Sequence, residues 1–203
     1  MNVVVVIPMG PGHETLAVAA GASVVDAWQW WRGPFADMAI DVVDDRLGEL
    51  GRSRARNRGI QRNPQADFYF LLDADDKMER MAFGCVDLDA PATFGCVKLE
   101  GINRQVPVSN VYPVTRETLL QFGARGTLSM GCFVRGDVAR ATPFDESLDV
   151  GEDFDFYLRL PGFVKIAAPL VSIGYDQPSA GGPRGYDATD WWGACDAVVQ
   201  RYR

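Results

Sequence analysis

Phe68–Asp76, with the sequence Phe-Tyr-Phe-Leu-Leu-Asp-Ala-Asp-Asp, decides the fold of this chain. An uninterrupted apolar run that follows a turn-forming Asn-Pro pair predicts a central strand of a parallel sheet. The run ends in three carboxylates, Asp73, Asp75 and Asp76. Ligands of open α/β sheets bind beyond the carboxyl ends of the strands, so we expect these acids at a functional edge of the sheet.

Carboxylates this close in sequence repel one another unless a positive charge lies between them. Oxygen ligands select hard divalent ions, so Asp73, Asp75 and Asp76 predict a site for Mn2+ or Mg2+. The alternative is an acidic turn in which Asp76 caps the next helix. Taken by itself, the stretch leaves both interpretations open.

The composition is that of a soluble globular protein, with 203 residues of which 47% are hydrophobic and 23% charged. This length favours a single domain over residues 1–203. A net charge of −7 argues against an extended nucleic-acid-binding surface. Neither a membrane span nor a signal peptide is indicated. The four cysteines form no CxxC pair, so we predict reduced thiols and a cytoplasmic location.

Two further acidic clusters stand at the ends of predicted elements. A second predicted strand, Met38–Val43, runs into Asp44 and Asp45. Glu152 and Asp153 open a predicted helix, where the helix dipole favours acidic side chains. Taken separately, the first pair is explained by a turn and the second by helix capping.

A basic helix is predicted over Arg52–Arg62. Neighbours on a helical face are three or four positions apart, so Arg52 shares a face with Arg56, and Arg54 shares another with Arg58. At least one of these pairs is expected to be surface charge, which leaves the other free to meet phosphate groups.

The other predicted elements follow from local periodicity and turn signals. The predicted strands are Val3–Ile7, Ala92–Leu99, Leu128–Val134 and one or two within Phe163–Ile173, and the predicted helices are 13–31, Lys77–Gly84, Thr115–Phe122 and 187–202. Residues 101–114 are ambiguous, and 177–186 are predicted to be a loop or lid.

Four motifs occur together in a distinctive order. They are Ile40–Asp45, Arg54–Ile60 with an Ala-Arg-Asn core, Phe70–Asp76 with its Asp-Ala-Asp, and the Phe144-Asp-Glu segment followed by Gly151–Phe156. This series resembles the family 2 glycosyltransferases in order and spacing, across residues 3 to about 160.

The resemblance implies an α/β GT-A fold, a Rossmann-like three-layer α/β/α arrangement around a mostly parallel mixed sheet. It implies an inverting glycosyltransferase that takes a hexosyl or pentosyl group from a nucleoside-diphosphate sugar, with a UDP-sugar favoured, and uses Mn2+ or Mg2+. Residues 1–100 would hold the nucleotide-sugar, residues 101–175 would form the acceptor and catalytic half, and residues 176–203 would form a C-terminal loop and helix.

The same resemblance implies a role for each site residue. The nucleotide-sugar would contact Pro8, Asp44, Asp45, Arg56, Asp73 and Asp75. The metal would be carried by Asp75 and Asp73 with Asp76 beside them. Asp153 would act as general base, assisted by Glu152.

The chain departs from the family pattern at two places. Arg46-Leu47 stands where Gly-Ser is common, and no histidine follows His13, so Asp176, a water or nothing takes the late metal position. The predicted acceptor is a hydroxyl of a saccharide or polymer, or less favourably of modified DNA. The alternatives are a nucleotidyltransferase, against which the loop Met9–Glu14 lacks basic residues, and a non-catalytic nucleotide-sugar-binding protein.

Overall fold

A computed structural model describes residues 1–100, 104–106, 114–123, 128–174 and 188–203. This part of the chain forms one eight-stranded sheet with helices packed against it. The strands are β1 Asn2–Met9, β2 Asp37–Asp44, β3 Phe68–Leu71, β4 Asp76–Met78, β5 Ala92–Glu100, β6 Arg104–Val106, β7 Cys132–Arg135 and β8 Val164–Gly174. The helices are α1 Glu14–Trp30, α2 Gly51–Arg62, α3 Arg116–Phe122, α4 Gly136–Ala141, α5 Glu152–Arg159 and α6 Ala188–Arg201.

The sheet is mixed, and its first half is parallel. Strand β1 lies between β2 and β3 and is parallel to both. The order is β2-β1-β3-β7-β5-β8-β4, with β6 paired to β5. Strand β7 is antiparallel to β3 and β5, whereas β5 and β8 are parallel to each other. The Rossmann-like α/β arrangement predicted from the sequence is confirmed.

Side chains of β1 alternate between two hydrophobic cores, one on each face of the sheet. Val3, Val5 and Ile7 pack in the core that includes α1, whereas Val4 and Val6 pack in the core that includes α2 and α5. Successive side chains of a strand point to opposite faces, so an apolar run of this kind is buried on both sides. Helices therefore cover both faces, which gives the three layers.

Helix α2 lies directly against β1 and β2 because Gly59 has no side chain. A Cβ atom at position 59 would come within 2.4 Å of Cγ1 of Val6 and within 3.2 Å of Cγ2 of Val43. A methyl group cannot be accommodated in a close-packed interior at the shorter distance. The glycine thus sets how closely the helix approaches the sheet.

The predicted helix Lys77–Gly84 is wrong. Asp76–Met78 is instead the short strand β4, antiparallel to β8, and Ala82–Cys85 forms one 3-10 turn. The backbone N–H of Glu79 continues the pairing by donating to the carbonyl of Leu170. Pairing with a distant strand overrides the local helix preference here.

The predicted strand Leu128–Val134 begins later than expected, at Cys132. Gly131 has a φ of 89°, in the left-handed region that an extended strand does not use. Helix α4 follows β7 directly and was not predicted, since its six residues are too few to show helical periodicity. The late segment is one strand, β8, with an irregular register opposite Phe94–Val97.

Helix α3 begins with a reciprocal cap, as its sequence favours. The hydroxyl of Thr115 accepts from the backbone N–H of Thr118, and the hydroxyl of Thr118 accepts from the N–H of Thr115. The predicted loop 177–186 and most of the ambiguous stretch 101–114 lie outside the described residues. None of the helices described is long and apolar enough to span a membrane.

Candidate active site

The acidic clusters that follow β2 and β3 begin at the same edge of the sheet. Val6 of β1 is in register with Leu71 of β3, and Met9 of β1 is in register with Asp44 of β2. Because the three strands are parallel, their carboxyl ends meet at this edge. Asp73 and the acids after it therefore lie on the side of the sheet to which Asp44 also belongs.

Arg56 connects this edge to the start of α5. Its side chain is on the inner face of α2, and the residue is only 3% exposed. Nη2 donates to Oδ1 of Asp73 at 2.6 Å, and Nη1 donates to Oε1 of Glu152 at 2.9 Å. The guanidinium also lies over the ring of Phe144, 5.3 Å from its centroid. One arginine thus joins three of the sequence motifs.

The charge of Arg56 is maintained by its two partners. Burial disfavours the guanidinium charge, but the carboxylates of Asp73 and Glu152 outweigh that cost and raise the pKa of Arg56 above its usual value. Glu152 is buried as well. The guanidinium predicted to hold the nucleotide is therefore engaged within the protein through both Nη atoms.

Asn57, the next residue of α2, holds the segment before α5. Its Oδ1 accepts from the backbone N–H of Phe144 at 2.8 Å. Its Nδ2 donates to the carbonyl of Phe144 at 3.0 Å and to Oε1 of Glu146 at 2.9 Å. The Arg56-Asn57 pair therefore positions both the segment 144–146 and the start of α5. Sequence analysis did not single out Asn57.

The loop between β3 and β4 carries Asp75, and Asp76 is the first residue of β4; both are half-buried. Burial, and then the negative charge of Asp73, raise the pKa of Asp75. Burial, and then the charges of Asp73 and Asp75, raise the pKa of Asp76 well above its usual value. Burial and the neighbouring acids thus disfavour the ionised forms of both Asp75 and Asp76.

This donor set fits a hard divalent cation that shares its coordination with a ligand. Within the described part of the chain, no group of three or more His, Cys, Asp or Glu side chains is placed to hold a metal ion by itself. Mg2+ is commonly held by one or two carboxylates and completes its shell with water and substrate phosphates. The carboxylates of Asp75 and Asp76 are oxygen donors of that kind.

Asp153 lies in the first turn of α5, which begins after Gly151 in a left-handed conformation with φ of 79°. Burial, and then the charge of Glu152, raise the pKa of Asp153 to about 6. Its Oδ1 accepts from the backbone N–H of Phe154 at 2.7 Å and from Nε1 of Trp191 at 3.2 Å. A carboxylate with a pKa near neutrality is suited to general base catalysis.

The two acids after β2 have different surroundings. Asp45 is buried. Its Oδ1 accepts from the backbone N–H of Leu50 and its Oδ2 from that of Gly51, each at 2.9 Å. Asp44 is exposed and pairs with Arg46 at 2.8 Å. Asp45 thus orders the loop that enters α2. Asp44 is the more accessible of the two.

Three residues near the site were not predicted to belong to it. His13 and Arg52 lie close enough to Asp75 for their positive charges to favour its ionised form. Trp191 reaches Asp153 from α6 across 38 positions of sequence. The spacing of Arg52 and Arg56 on one helical face was the only sequence signal for any of these three.

No protein-family model matches the chain, and no curated protein matches it in sequence. Solved structures of Staphylococcus aureus TarS are similar to it in fold. TarS residues 1–349 in complex with UDP-GlcNAc superpose with a TM-score of 0.68 at 14% identity, covering 98% of this chain and 65% of that one. TarS residues 1–349 with UDP give 0.62 at 16% identity, covering 86% and 60%.

This likeness confirms the GT-A-like glycosyltransferase fold that the sequence motifs predicted. The chain spans less than two thirds of the length of the TarS structures that it matches. At this identity the similarity establishes the architecture, and the side chains of the site must decide the chemistry.

Proposed function

We propose that this protein is a metal-dependent inverting glycosyltransferase that moves a sugar from a nucleoside-diphosphate sugar to an acceptor hydroxyl. One observation carries the proposal. Arg56 joins Asp73, in the acidic loop after β3, to Glu152, which is next to the high-pKa carboxylate of Asp153. The loop proposed to bind the cation and the carboxylate proposed as base are therefore linked across three elements, in a GT-A-like fold.

The nucleotide end of the donor is assigned to the edge formed by β1 and β2. Pro8 and Asp44 are available there, and Asp45 keeps the loop in shape through Leu50 and Gly51. A carboxylate accepts from the N–H of a uracil-like base edge, which favours a UDP-sugar. The TarS structures in complex with UDP and UDP-GlcNAc support this choice of donor.

The diphosphate is assigned to the loop between β3 and β4. Asp75 and Asp76, with Asp73 beside them, would hold Mn2+ or Mg2+ together with phosphate oxygens. When bound, such an ion supplies Lewis-acid stabilisation of the departing nucleoside diphosphate. One oxygen of Asp73 is already held by Arg56, so we assign the larger share of metal binding to Asp75 and Asp76.

Asp153 is assigned as the general base. It takes the proton of the acceptor hydroxyl as that oxygen forms its bond to the anomeric carbon. The bond between this carbon and the diphosphate oxygen breaks, and its electron pair leaves with the nucleoside diphosphate. Because attack comes from the face opposite the leaving group, the anomeric configuration inverts.

Glu152 assists without taking the proton itself. Its carboxylate is buried and receives the hydrogen bond from Nη1 of Arg56. Its negative charge raises the pKa of Asp153, which improves the base. Arg56 thus acts on the reaction through the two carboxylates that it pairs, and we assign it no direct contact with the donor.

The acceptor is proposed to be a hydroxyl of a saccharide or polymer, and the group transferred is a hexosyl or pentosyl unit. A net charge of −7 makes modified DNA the less favoured acceptor. We propose a cytoplasmic location on the sequence alone, in which the four cysteines form no CxxC pair.

A thermal unfolding panel tests the donor site. The protein is heated with nucleoside diphosphates and nucleotide-sugars in the presence of Mn2+, Mg2+ or a chelator. A ligand that binds only the folded state raises the midpoint, so we expect UDP or a UDP-sugar to raise it with metal and not with chelator. If no nucleoside diphosphate raises the unfolding midpoint, the proposed donor site is refuted. Release of pyrophosphate instead of nucleoside diphosphate would assign the chain to the nucleotidyltransferases.

A further inference from the structure

Both ends of helix α6 contact acidic side chains of α5. Near its beginning, Nε1 of Trp191 donates to Oδ1 of Asp153 at 3.2 Å. Just after its end, the hydroxyl of Tyr202 donates to Oδ1 of Asp155 at 2.7 Å. These two contacts bind the C-terminal segment to the helix that carries the proposed base.

The middle of α6 is anchored in the core, so its position relative to α5 is well defined. Cys195, Val198 and Val199 are buried in the core that also contains α5. At the start of α5, a Cβ at Gly151 would lie 3.3 Å from Cβ of Ala194. The two helices therefore meet at close range beside Asp153, where α6 places Trp191.

The two oxygens of Asp153 are used differently. Oδ1 accepts both protein hydrogen bonds, from the backbone of Phe154 and from the indole of Trp191. Among the described residues, no hydrogen bond to Oδ2 is found. A carboxylate oxygen with two donors is held in place and is less basic, which disfavours Oδ1 as the oxygen that accepts a proton.

We infer that Trp191 is a positioning residue for the transfer reaction. Its indole N–H fixes Oδ1 of Asp153, so that Oδ2 takes the proton of the acceptor hydroxyl. The inference rests on the proposed function in one respect, the assignment of Asp153 as base. The C-terminal helix is then part of the catalytic apparatus, although its sequence carries no catalytic motif.

The charged and titratable groups around Asp153 come from three helices. Glu152, on the same helix, raises its pKa, and Arg56 from α2 lowers it. Tyr157 on α5 and Cys195 on α6 are near enough to Asp153 for its negative charge to raise their pKa values. Burial raises the pKa of Tyr157, and burial likewise keeps Cys195 protonated.

Nuclear magnetic resonance tests the contact without any need for activity. The chain has 5 tryptophans, and the indole N–H signal of Trp191 is identified by its loss in Trp191→Phe. We expect this signal to move with pH, with a midpoint at the pKa of Asp153 of about 6. The movement should vanish in Asp153→Asn. A Trp191 signal that stays constant between about pH 4 and about pH 8 would overturn the contact, since a single group titrates within a few pH units of its pKa.

Kinetics of Trp191→Phe test the positioning role, with Trp192→Phe as the matched control. Trp192 is the next residue of α6 and is 49% exposed. Phenylalanine keeps the aromatic packing and removes the N–H, so we expect kcat to fall about tenfold, with an unchanged KM for the donor. The acid limb of kcat/KM should move to higher pH, because the lost hydrogen bond stabilised the ionised carboxyl.

The outcomes separate the inference from the proposed function. If the wild-type protein transfers sugar and Trp191→Phe matches Trp192→Phe in kcat and in its acid limb, the positioning role is refuted and the proposed function stands. If the wild-type protein neither binds a nucleoside diphosphate nor transfers sugar, the proposed function is refuted, and with it the positioning role. The indole titration still decides whether Trp191 holds Asp153.

Discussion

Arg56 and Asp73 lie 17 positions apart in sequence and 2.6 Å apart in the structure, from Nη2 to Oδ1. The same guanidinium reaches Glu152, so one buried cation serves a carboxylate from each half of the site. Removal of one partner from a buried ion pair leaves an uncompensated charge in the interior.

Arg56→Met should destabilise the protein by about 3–5 kcal/mol, because Asp73 and Glu152 would lose their common partner in the interior. Chemical denaturation measures the change. Arg58→Met is the matched control, since Arg58 is exposed on the same helix. Equal unfolding free energies for the two variants would show that the buried pairs contribute nothing.

Asp153→Asn should lower the rate of sugar transfer by about 10²–10⁴-fold, the range typical of a general base. Binding of the nucleoside diphosphate should be unchanged, because Asp153 belongs to the acceptor side of the proposed site. Initial rates and the thermal shift with diphosphate measure the two effects. Transfer at the wild-type rate would remove Asp153 from the mechanism.

The pH profile of the wild-type enzyme should show an acid limb near pH 6, the pKa of Asp153. Below it Asp153 is protonated and cannot act as base, so kcat/KM should fall about tenfold per pH unit.

The stability of the folded protein should depend on pH in the opposite direction and fall as pH rises. Since the folded state holds this proton more tightly than the unfolded state, Asp153 makes folding less favourable as pH rises from its usual pKa of 3.8 to about 6. Asp153→Asn should therefore unfold at a higher temperature than wild type at pH 7. The difference should disappear as the pH falls to 3.8, the usual pKa of the carboxyl.

Asp76→Asn should stabilise the protein without ligand, because burial and the charges of Asp73 and Asp75 oppose ionisation of Asp76. The same change should abolish the metal-dependent thermal shift with nucleoside diphosphate. Asp37→Asn, at an exposed position of β2, serves as the control. A full metal-dependent shift in Asp76→Asn would mean that Asp76 is not part of the cation site.

Asn57→Ala should cost about 1–3 kcal/mol, because the buried N–H and C=O of Phe144 would lose their partners. Transfer should weaken as well, since the segment 144–146 leads into α5. Thermal unfolding and initial rates of Asn57→Ala are compared with those of Gln61→Ala, an exposed position of the same helix. Indistinguishable midpoints would refute the proposed link between α2 and this segment.

Strong local patterns account for the parts of the fold that the sequence predicted. The apolar run before Asp73 and the first strand, buried on both faces, determine the parallel core, and the acids that follow β2 and β3 consequently reach the same edge. Strand β4 has only three residues and is defined by its pairing with β8, so it carries no local signal.

The sequence motifs supplied the candidate site residues, whereas contacts between distant elements were not predicted. Helical periodicity placed Arg52 and Arg56 on one face but could not show that Arg56 is buried between two carboxylates. The contact of Trp191 with Asp153 spans 38 positions and depends on how α6 packs. No spacing rule within a single element contains that information.

The close approach of α2 to the sheet at Gly59 has a mechanical consequence. Arg56 precedes Gly59 by three positions, less than one turn, so the height of the helix above β1 also determines the reach of the guanidinium. A side chain at position 59 would push α2 away from Val6. The ion pairs of Arg56 with Asp73 and with Glu152 would then lengthen together. Gly59, the smallest residue of the motif, therefore sets the distance at which Arg56 can reach both Asp73 and Glu152.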